Sequence, residues 1–347
     1  MQNKTYVPIL KAKLGEYGAL ASLKPEEKDL IVPLLEIEPI PYDFKDKCPR
    51  KSVEDHVSKT AKQIIGAWGR KEIWLDTSPV GVADSAKALA RCMSSARDLS
   101  LRVVPVVRLA SALPFLQCAA DSIATDNRGA VVRIAADQLD ESGFDTTLQQ
   151  TLAVLGLKPA DAHLVIDLGS IGSDARVLAR GTQSVVNEFR GLGDWKSFTL
   201  ASGAFPKNLM ALRSEKVARL PRHDLALWRR LTSLQLNREP LYADYGIGHP
   251  VLEQLDPRTL TVSGSIRYTT EDDWIIVRGK SIKKEGWGQM VQRCSTLLKE
   301  TDFEKLSWGD KYIADCAAER AGTGGSTLWR KVGTNRHIVK TLNQLAN

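Results

Sequence analysis

The sequence predicts an α/β fold, a TIM-type (β/α)8 barrel carrying a C-terminal β-hairpin and a helical extension. Three observations lead there. Eight short β-rich runs recur about every 25 to 45 residues with helical patterns between them, which is the rhythm of a parallel sheet. Eight strands exceed the roughly five or six of an open doubly wound sheet. The first turn, LGEYGAL, lacks the G-x-G-x-x-G spacing such a sheet places after its first strand.

The strands read in order as Tyr6–Lys13, Ile31–Glu38, Glu72–Thr77, Arg102–Leu109, Ala130–Ala135, His163–Leu168, Ser197–Ser202 and Leu241–Gly246. Between them, apolar residues at helical spacing predict helices over Ser52–Gly69, Ala83–Leu99, Phe144–Leu155 and Ala175–Phe189. Ser52, followed by Glu54 and Asp55, suits a helix start, as do Ser173 and Asp174. Beyond the eighth strand the rhythm changes. Leu260–Tyr268 and Trp274–Arg278 flank the polar turn TTEDD and read as a hairpin. Helices follow over Gln289–Leu298, either the last barrel helix or an added one, and over Asp310–Arg320. The stretch AGTGGSTLWRKVGTNRH then reads as a glycine-rich basic loop before a closing helix through Leu345. No long Pro/Gly/Ser linker separates these parts. The expected organisation is a barrel over residues 1–259, with 260–347 packed on it as one structural unit.

Composition sets outer bounds. The chain has 347 residues, 43% hydrophobic and 26% charged, which excludes collagen-like and largely disordered classes. No apolar run approaches the ~20 residues of a membrane span. No secretory signal is visible at MQNKTYVPILKAK, and five widely spaced cysteines form no C-x-x-C pair. A cytoplasmic protein without membrane contact is expected. The net charge of +7 is modest and local. It gathers between Arg213 and Arg238 and again between Arg320 and Lys340.

The chemistry-bearing pattern is where charges lie within the strands. Apolar residues fill the first part of each strand and charged residues its C-terminal end, the end where barrel active sites are built. They are Lys11 and Lys13, Glu36 and Glu38, Asp76, Arg108, Arg133, Asp167, and Asp244 with Tyr245. Lys11, Lys13, Arg108 and Arg133 can hold phosphate or carboxylate. Glu36, Glu38, Asp76, Asp167 and Asp244 are candidate acid/base residues. Glu36, Glu38 and Asp76 also form a hard-oxygen set of the kind that takes Mg2+, which would support metal-assisted phosphodiester hydrolysis. The same four cations and five carboxylates can instead pair with one another and plug the barrel top.

Glu36-x-Glu38 resembles the carboxylate pair of glycerophosphodiester phosphodiesterase barrels. That family needs His-Arg in strand one, and none of His56, His163, His223, His249 and His337 lies there. His249, in DYGIGHP, is placed to reach the mouth or to cap a turn before Pro250. In the C-terminal stretch, Arg330, Lys331, Arg336 and His337 stand among Gly322, Gly324, Gly325 and Gly333, whose backbone amides could approach an anion. Trp329 could stack on a base or anchor the last helix. Walker, G-x-S-x-G, H-E-x-x-H and known DNA-binding motifs are absent.

Four segments, YVPILKAKLGEYGAL, LYADYGIGHP, IRYTTEDDWIIVRG and WRKVGTNRHIVKTL, together resemble the "beta protein" family of phages and bacteria, over essentially the whole chain. The resemblance implies a phage-related or phage-defence setting and carries over no catalytic residues. The expected function is therefore a barrel protein that binds an anionic small molecule, nucleotide or nucleic acid at its mouth, with phosphodiester hydrolysis as an extension. The alternative is a non-catalytic interaction protein with a partner encoded nearby.

Overall fold

The computed structural model describes residues 5–346 except 110, 252–255, 257, 259 and 260. Eight parallel strands close into a barrel in sequential order, the last beside the first. They are β1 (Tyr6–Lys11), β2 (Leu34–Glu36), β3 (Ile73–Asp76), β4 (Val103–Arg108), β5 (Ala130–Ala135), β6 (Ala162–Ser170), β7 (Ser197–Gly203) and β8 (Leu241–Asp244). Every predicted strand is present. β2 is shorter than its apolar run because Pro33 has no N–H to give the ladder, although Ile31 still bridges Tyr6.

Alternation along the strands sorts side chains into two cores. Val7, Ile9, Leu34, Trp74, Val104, Val106, Val131 and Val165 fill the barrel interior. The opposite faces pack against the surrounding helices, for example Tyr6, Leu35, Leu75 and Val107 against Leu20, Ile64 and Leu89. The predicted helix over Ser52–Gly69 is interrupted between Val53–Val57 and Thr60–Trp68, where the Ser58 hydroxyl donates to the Asp55 carbonyl. Helices at Leu14–Ala21, Leu113–Asp126 and His223–Thr232 and a strand at Val217–Pro221 were not expected. The second of these helices has a proline in its first turn, where the missing N–H costs no helical bond.

The hairpin forms from Ser263–Thr269 and Asp273–Ser281, and Val217–Pro221 pairs along its second strand as a three-stranded sheet. Its expected start at Leu260 and the 259/260 boundary lie outside the described residues. Met290–Leu297 is an added helix: Met290, Cys294 and Leu297 pack with Ile266, Tyr268 and Ile275 of the hairpin in a separate apolar cluster.

The C-terminal region departs from expectation. A single helix runs Ser326–Leu345, so Arg330, Arg336 and His337 are helical and do not belong to a glycine-rich loop. Ile338, Val339 and Leu342 join the outer core with Tyr6, Tyr242 and Leu225, so this helix covers β1 and β8 where an eighth barrel helix would sit. Two glycines permit its close approach. A Cβ on Gly15 would stand 2.7 Å from Arg330 Cγ, and one on Gly333 would stand 2.6 Å from Ile247 Cδ1 and 2.8 Å from the Arg267 carbonyl oxygen. The glycines read as anion-binding loop elements include, at Gly333, a helix contact. Among the described residues no helix is long and apolar enough to cross a membrane.

Inside the barrel, His163 is fully buried against Trp74, with ring centroids 4.9 Å apart and Nδ1 2.7 Å from Ser197 Oγ. Its Nε2 has no hydrogen-bond partner, and burial, with Lys196 adding repulsion, pulls its pKa down to about 3. The folded chain therefore binds fewer protons than the unfolded chain from its ordinary pKa down to about 3. Stability must fall as pH falls through that window, by up to about 1.4 kcal/mol per pH unit from this one group. In urea titrations from pH 7 to pH 5, His163→Gln is expected to lose that part of the slope; slopes equal to wild type would refute the assignment.

Candidate functional site

Seven of the strand-end residues do converge inside the C-terminal mouth. Lys11, Glu36, Asp76, Arg108, Arg133 and Asp167 share the inward face of their strands with the interior aliphatics, and Tyr245 points in just after β8. They do not form an open ring. Arg133, buried, is the hub. Its guanidinium donates to Glu36 at 2.8 Å, Asp76 at 3.0 Å, Asp167 at 2.8 and 3.0 Å, and the Tyr245 hydroxyl at 2.6 Å. The Tyr245 hydroxyl in turn donates a hydrogen bond to Asp167 at 2.6 Å. Arg108 donates to Asp76 at 2.8 and 3.1 Å, and Lys11 pairs with Glu36. Backbone amides of Ser78 and Gly169 complete Asp76 and Asp167.

Three cations thus face three carboxylates. Burial alone would raise the Glu36 carboxyl, but Arg133, Lys11 and Arg108 hold it at about 2. Burial would lower Arg133, and its surrounding anions drive it well above the ordinary value instead. Groups pinned in these states are poor proton shuttles near neutral pH, where a general acid or base needs an intermediate pKa. Nor do the expected metal ligands stand free. Glu36 and Asp76 are occupied by arginine, and Glu38 pairs with Lys13 beside the ring. Among the described residues no group of three or more His, Cys, Asp or Glu side chains is arranged to hold a metal ion, so the set does not fit magnesium.

Three other candidates lie elsewhere. Asp244 alternates with Tyr245 and therefore faces outward. It is buried against the C-terminal helix, accepting from Tyr6 at 2.6 Å and lying 2.8 Å from His337 Nε2. His337 also meets Thr269 at 3.0 Å. Arg336 is buried against Asp310 at 3.1 Å and Glu304 at 2.5 Å. These contacts fix the last helix to the barrel and the hairpin, and none reaches the mouth. For Asp244 the reason is register, since it sits one position from the inward-facing Tyr245; Arg336 and His337 lie further along the C-terminal helix than its cleft-lining residues Ser326, Thr327, Arg330 and Thr334.

Beside the ring lies a cavity of about 590 Å³, walled by the loops after β1 and β8 and by the first turns of the C-terminal helix. It keeps Lys11, Lys13, Glu38, Tyr245, His249 and Arg330 from the predicted set and adds Lys207, Arg267 and Glu16. His249 Nδ1 accepts from the Val251 amide at 3.1 Å, which caps the turn. Arg330 reaches the Ile247 carbonyl at 3.2 Å and lies 3.6 Å from Glu16. Burial pushes the Glu16 carboxyl up, and its Oε2 has no partner. Arg267 is the unusual member. It donates to the Ile247 carbonyl at 2.6 Å and lies over the Phe205 ring at 4.8 Å, with no carboxylate within ion-pair distance among the described residues. Loss of solvation, with Arg330 alongside, pulls it down to about 9. A guanidinium keeps its proton under such pressure, so Arg267 stands in the cavity wall as a desolvated positive charge. Sequence reading passed over Arg267 and Glu16, although both lie within quoted segments, IRYTTEDD and LGEYGAL. The usable signal was alternation along the hairpin, which puts Arg267 on the face with Ser263 and Ser265.

The model of the Beta protein family matches residues 6–343, and the chain belongs to that family. No curated protein matches. Among solved structures, a GH138 enzyme targeting pectin rhamnogalacturonan II is similar at 8% identity and a TM-score of 0.39. The match covers 82% of this chain and 38% of that one, so this chain spans well under half of that enzyme's length.

The ring makes a sharp stability prediction. Arg133→Met leaves Asp167 without a cation among the described residues and takes one partner each from Glu36 and Asp76, and is expected to cost about 3–5 kcal/mol in urea unfolding at pH 7.5. The loss should shrink as pH falls toward 5, because unpaired carboxyls take up protons there. Arg108, with 41% of its side chain exposed, should cost about 1 kcal/mol or less as Arg108→Met. Equal losses in the two variants would deny Arg133 its central place.

Proposed function

We propose that this barrel binds a phosphate-bearing ligand, a nucleotide or nucleic acid, in the cleft between its mouth and the C-terminal helix, and that it binds without hydrolysing. The observation that carries the reading is Arg267: a desolvated guanidinium in a cavity wall, next to Arg330, without a carboxylate partner among the described residues. Among the described residues, Arg267 and Arg330 lie together in the cavity wall with Glu16, and Lys11 and Lys13, paired with Glu36 and Glu38, stand at its edge. The first turn of a 20-residue helix adds Ser326, Thr327 and the positive end of its dipole. Arginine's planar fork suits a phosphate bidentately.

Binding is favoured over hydrolysis because the carboxylates expected to move protons, Glu36, Asp76 and Asp167, are each neutralised by arginine. A hydrolytic role would need them released. The phage or mobile-element setting and the cytoplasmic location belong to the same reading, since they put such ligands within reach. The alternative of a purely protein-binding scaffold does not call for a guanidinium in this cavity wall without a carboxylate partner among the described residues.

The test is thermal unfolding with pyrophosphate, a mononucleotide and a short oligonucleotide. A ligand at 100-fold its Kd stabilises by about 2.7 kcal/mol, which raises Tm by several degrees. The shift is expected in wild type and in Arg108→Met, and is expected to vanish in Arg267→Met. Without ligand, Arg267→Met should melt at or above the wild-type temperature, because a partly buried charge with no carboxylate partner among the described residues has been removed. A wild type unmoved by every anion, or an Arg267→Met protein that shifts equally, would overturn the proposal.

A further inference from the structure

The cleft does not end at Arg267. A second cavity, of about 520 Å³, opens on its far side and shares Ile247, Arg267, Ser326 and Arg330 with the first. One face of the hairpin floors it. Ser263, Ser265 and Arg267 alternate along the first hairpin strand, and Arg278 stands opposite Ser265 in the register. Arg278 repeats the condition of Arg267. Its donors go to the carbonyls of Leu212 and Met210 and to the Ser263 hydroxyl, with no carboxylate in ion-pair range among the described residues. Two guanidinium groups that can still accept an anion therefore lie along one channel, with hydroxyls between them.

The walls of the second cavity are of a different kind. Trp287, half-buried, lines it and also lines a third cavity of about 470 Å³ around the start of the C-terminal helix. Met210 and Val262 at its rim are 75% and 52% exposed. Cations at intervals, with aromatic and apolar surface between them, are what a chain of phosphates bearing flat bases requires. A single phosphate would use only one end. Each cavity is of the size that takes one small ligand, about 300–1,000 Å³.

We propose that the ligand of this cleft is single-stranded nucleic acid, with one phosphate at Arg267 and Arg330, a following phosphate at Arg278, and a base against Trp287. This rests on the reading of the first cavity as an anion site and names what enters it. The channel is sequence-tolerant, because backbone charge and stacking do not read base edges.

Binding of a mononucleotide, a six-nucleotide single strand and the corresponding duplex should be measured on the full chain by tryptophan fluorescence and calorimetry. The single strand is expected to bind at least about tenfold tighter than the mononucleotide, as one stacked base and one further phosphate contact provide. Arg278→Met and Trp287→Ala should each remove most of that gain and leave mononucleotide affinity within about twofold of wild type, a comparison that also shows the variants to be folded. Arg278→Met should reduce the slope of log K against log salt by about 0.7 for the single strand. If the mononucleotide binds and length makes no difference, or Arg278→Met weakens both ligands alike, the extended channel is wrong and the anion site stands. If the duplex binds as tightly as the single strand, the proposal fails as well. If nothing binds, both readings fall together.

Discussion

Charge buried inside a barrel mouth has to be matched where it stands, and Arg133 does the matching here. Its one guanidinium touches Glu36, Asp76, Asp167 and Tyr245, which come from four strands or strand ends. Without it, Asp167 would have no cation among the described residues and Glu36 and Asp76 would each lose one of theirs, at a cost of several kcal/mol. The strands can therefore end in charge only because the charges sum to zero locally. The same pairing removes the ring from chemistry. Glu36, held ionised by its cations, is a poor acid or base near neutral pH, and Glu36, Asp76 and Asp167 all have their oxygens engaged by arginine. Any ligand function has to sit where matching is incomplete, and the cleft around Arg267 is such a place.

Much of the barrel was legible because two periodicities, of two and of about 3.6 residues, report directly on which faces are buried. Strand positions and the clustering of Lys11, Glu36, Asp76, Arg108, Arg133 and Asp167 follow from that alone. Pairing was legible only as one of two options, since alternation says which residues meet and not whether anything else enters between them. Asp244 and Tyr245 show the limit of a strand-end rule applied without parity. Consecutive residues face opposite ways, so only Tyr245 belongs to the mouth.

The C-terminal helix was misread for a physical reason. Glycine lowers helix propensity by about 1 kcal/mol, and a stretch with Gly333 inside it reads as loop. Tertiary contact reverses that preference: Ile247 and Arg267 press against the position where a Cβ would be, and the helix gains packing that a larger residue would forbid. Arg267 was missed for a related reason. Its importance lies in lacking a carboxylate partner among the described residues, and a sequence shows which charges are present but not which the fold leaves without a counter-charge.

The segment from Asp244 to Ile247 ties these parts into one object. Asp244 holds the C-terminal helix through His337 and holds β1 through Tyr6. Tyr245, facing the other way, joins Arg133 and Asp167 inside the mouth. Gly246, at φ +62°, turns the chain and donates its amide back to Asp244. The Ile247 carbonyl then receives both Arg267 and Arg330, and its side chain lies against Gly333. Four consecutive residues thus connect the neutralised ring, the last helix and the basic cleft. An anion drawing on Arg267 and Arg330 would compete for donors now given to one carbonyl. Its binding would register first at Ile247, two residues from the phenol that seals the ring. The barrel interior is in this sense the rigid support, and the strand-eight turn is the element through which occupation of the cleft would be felt.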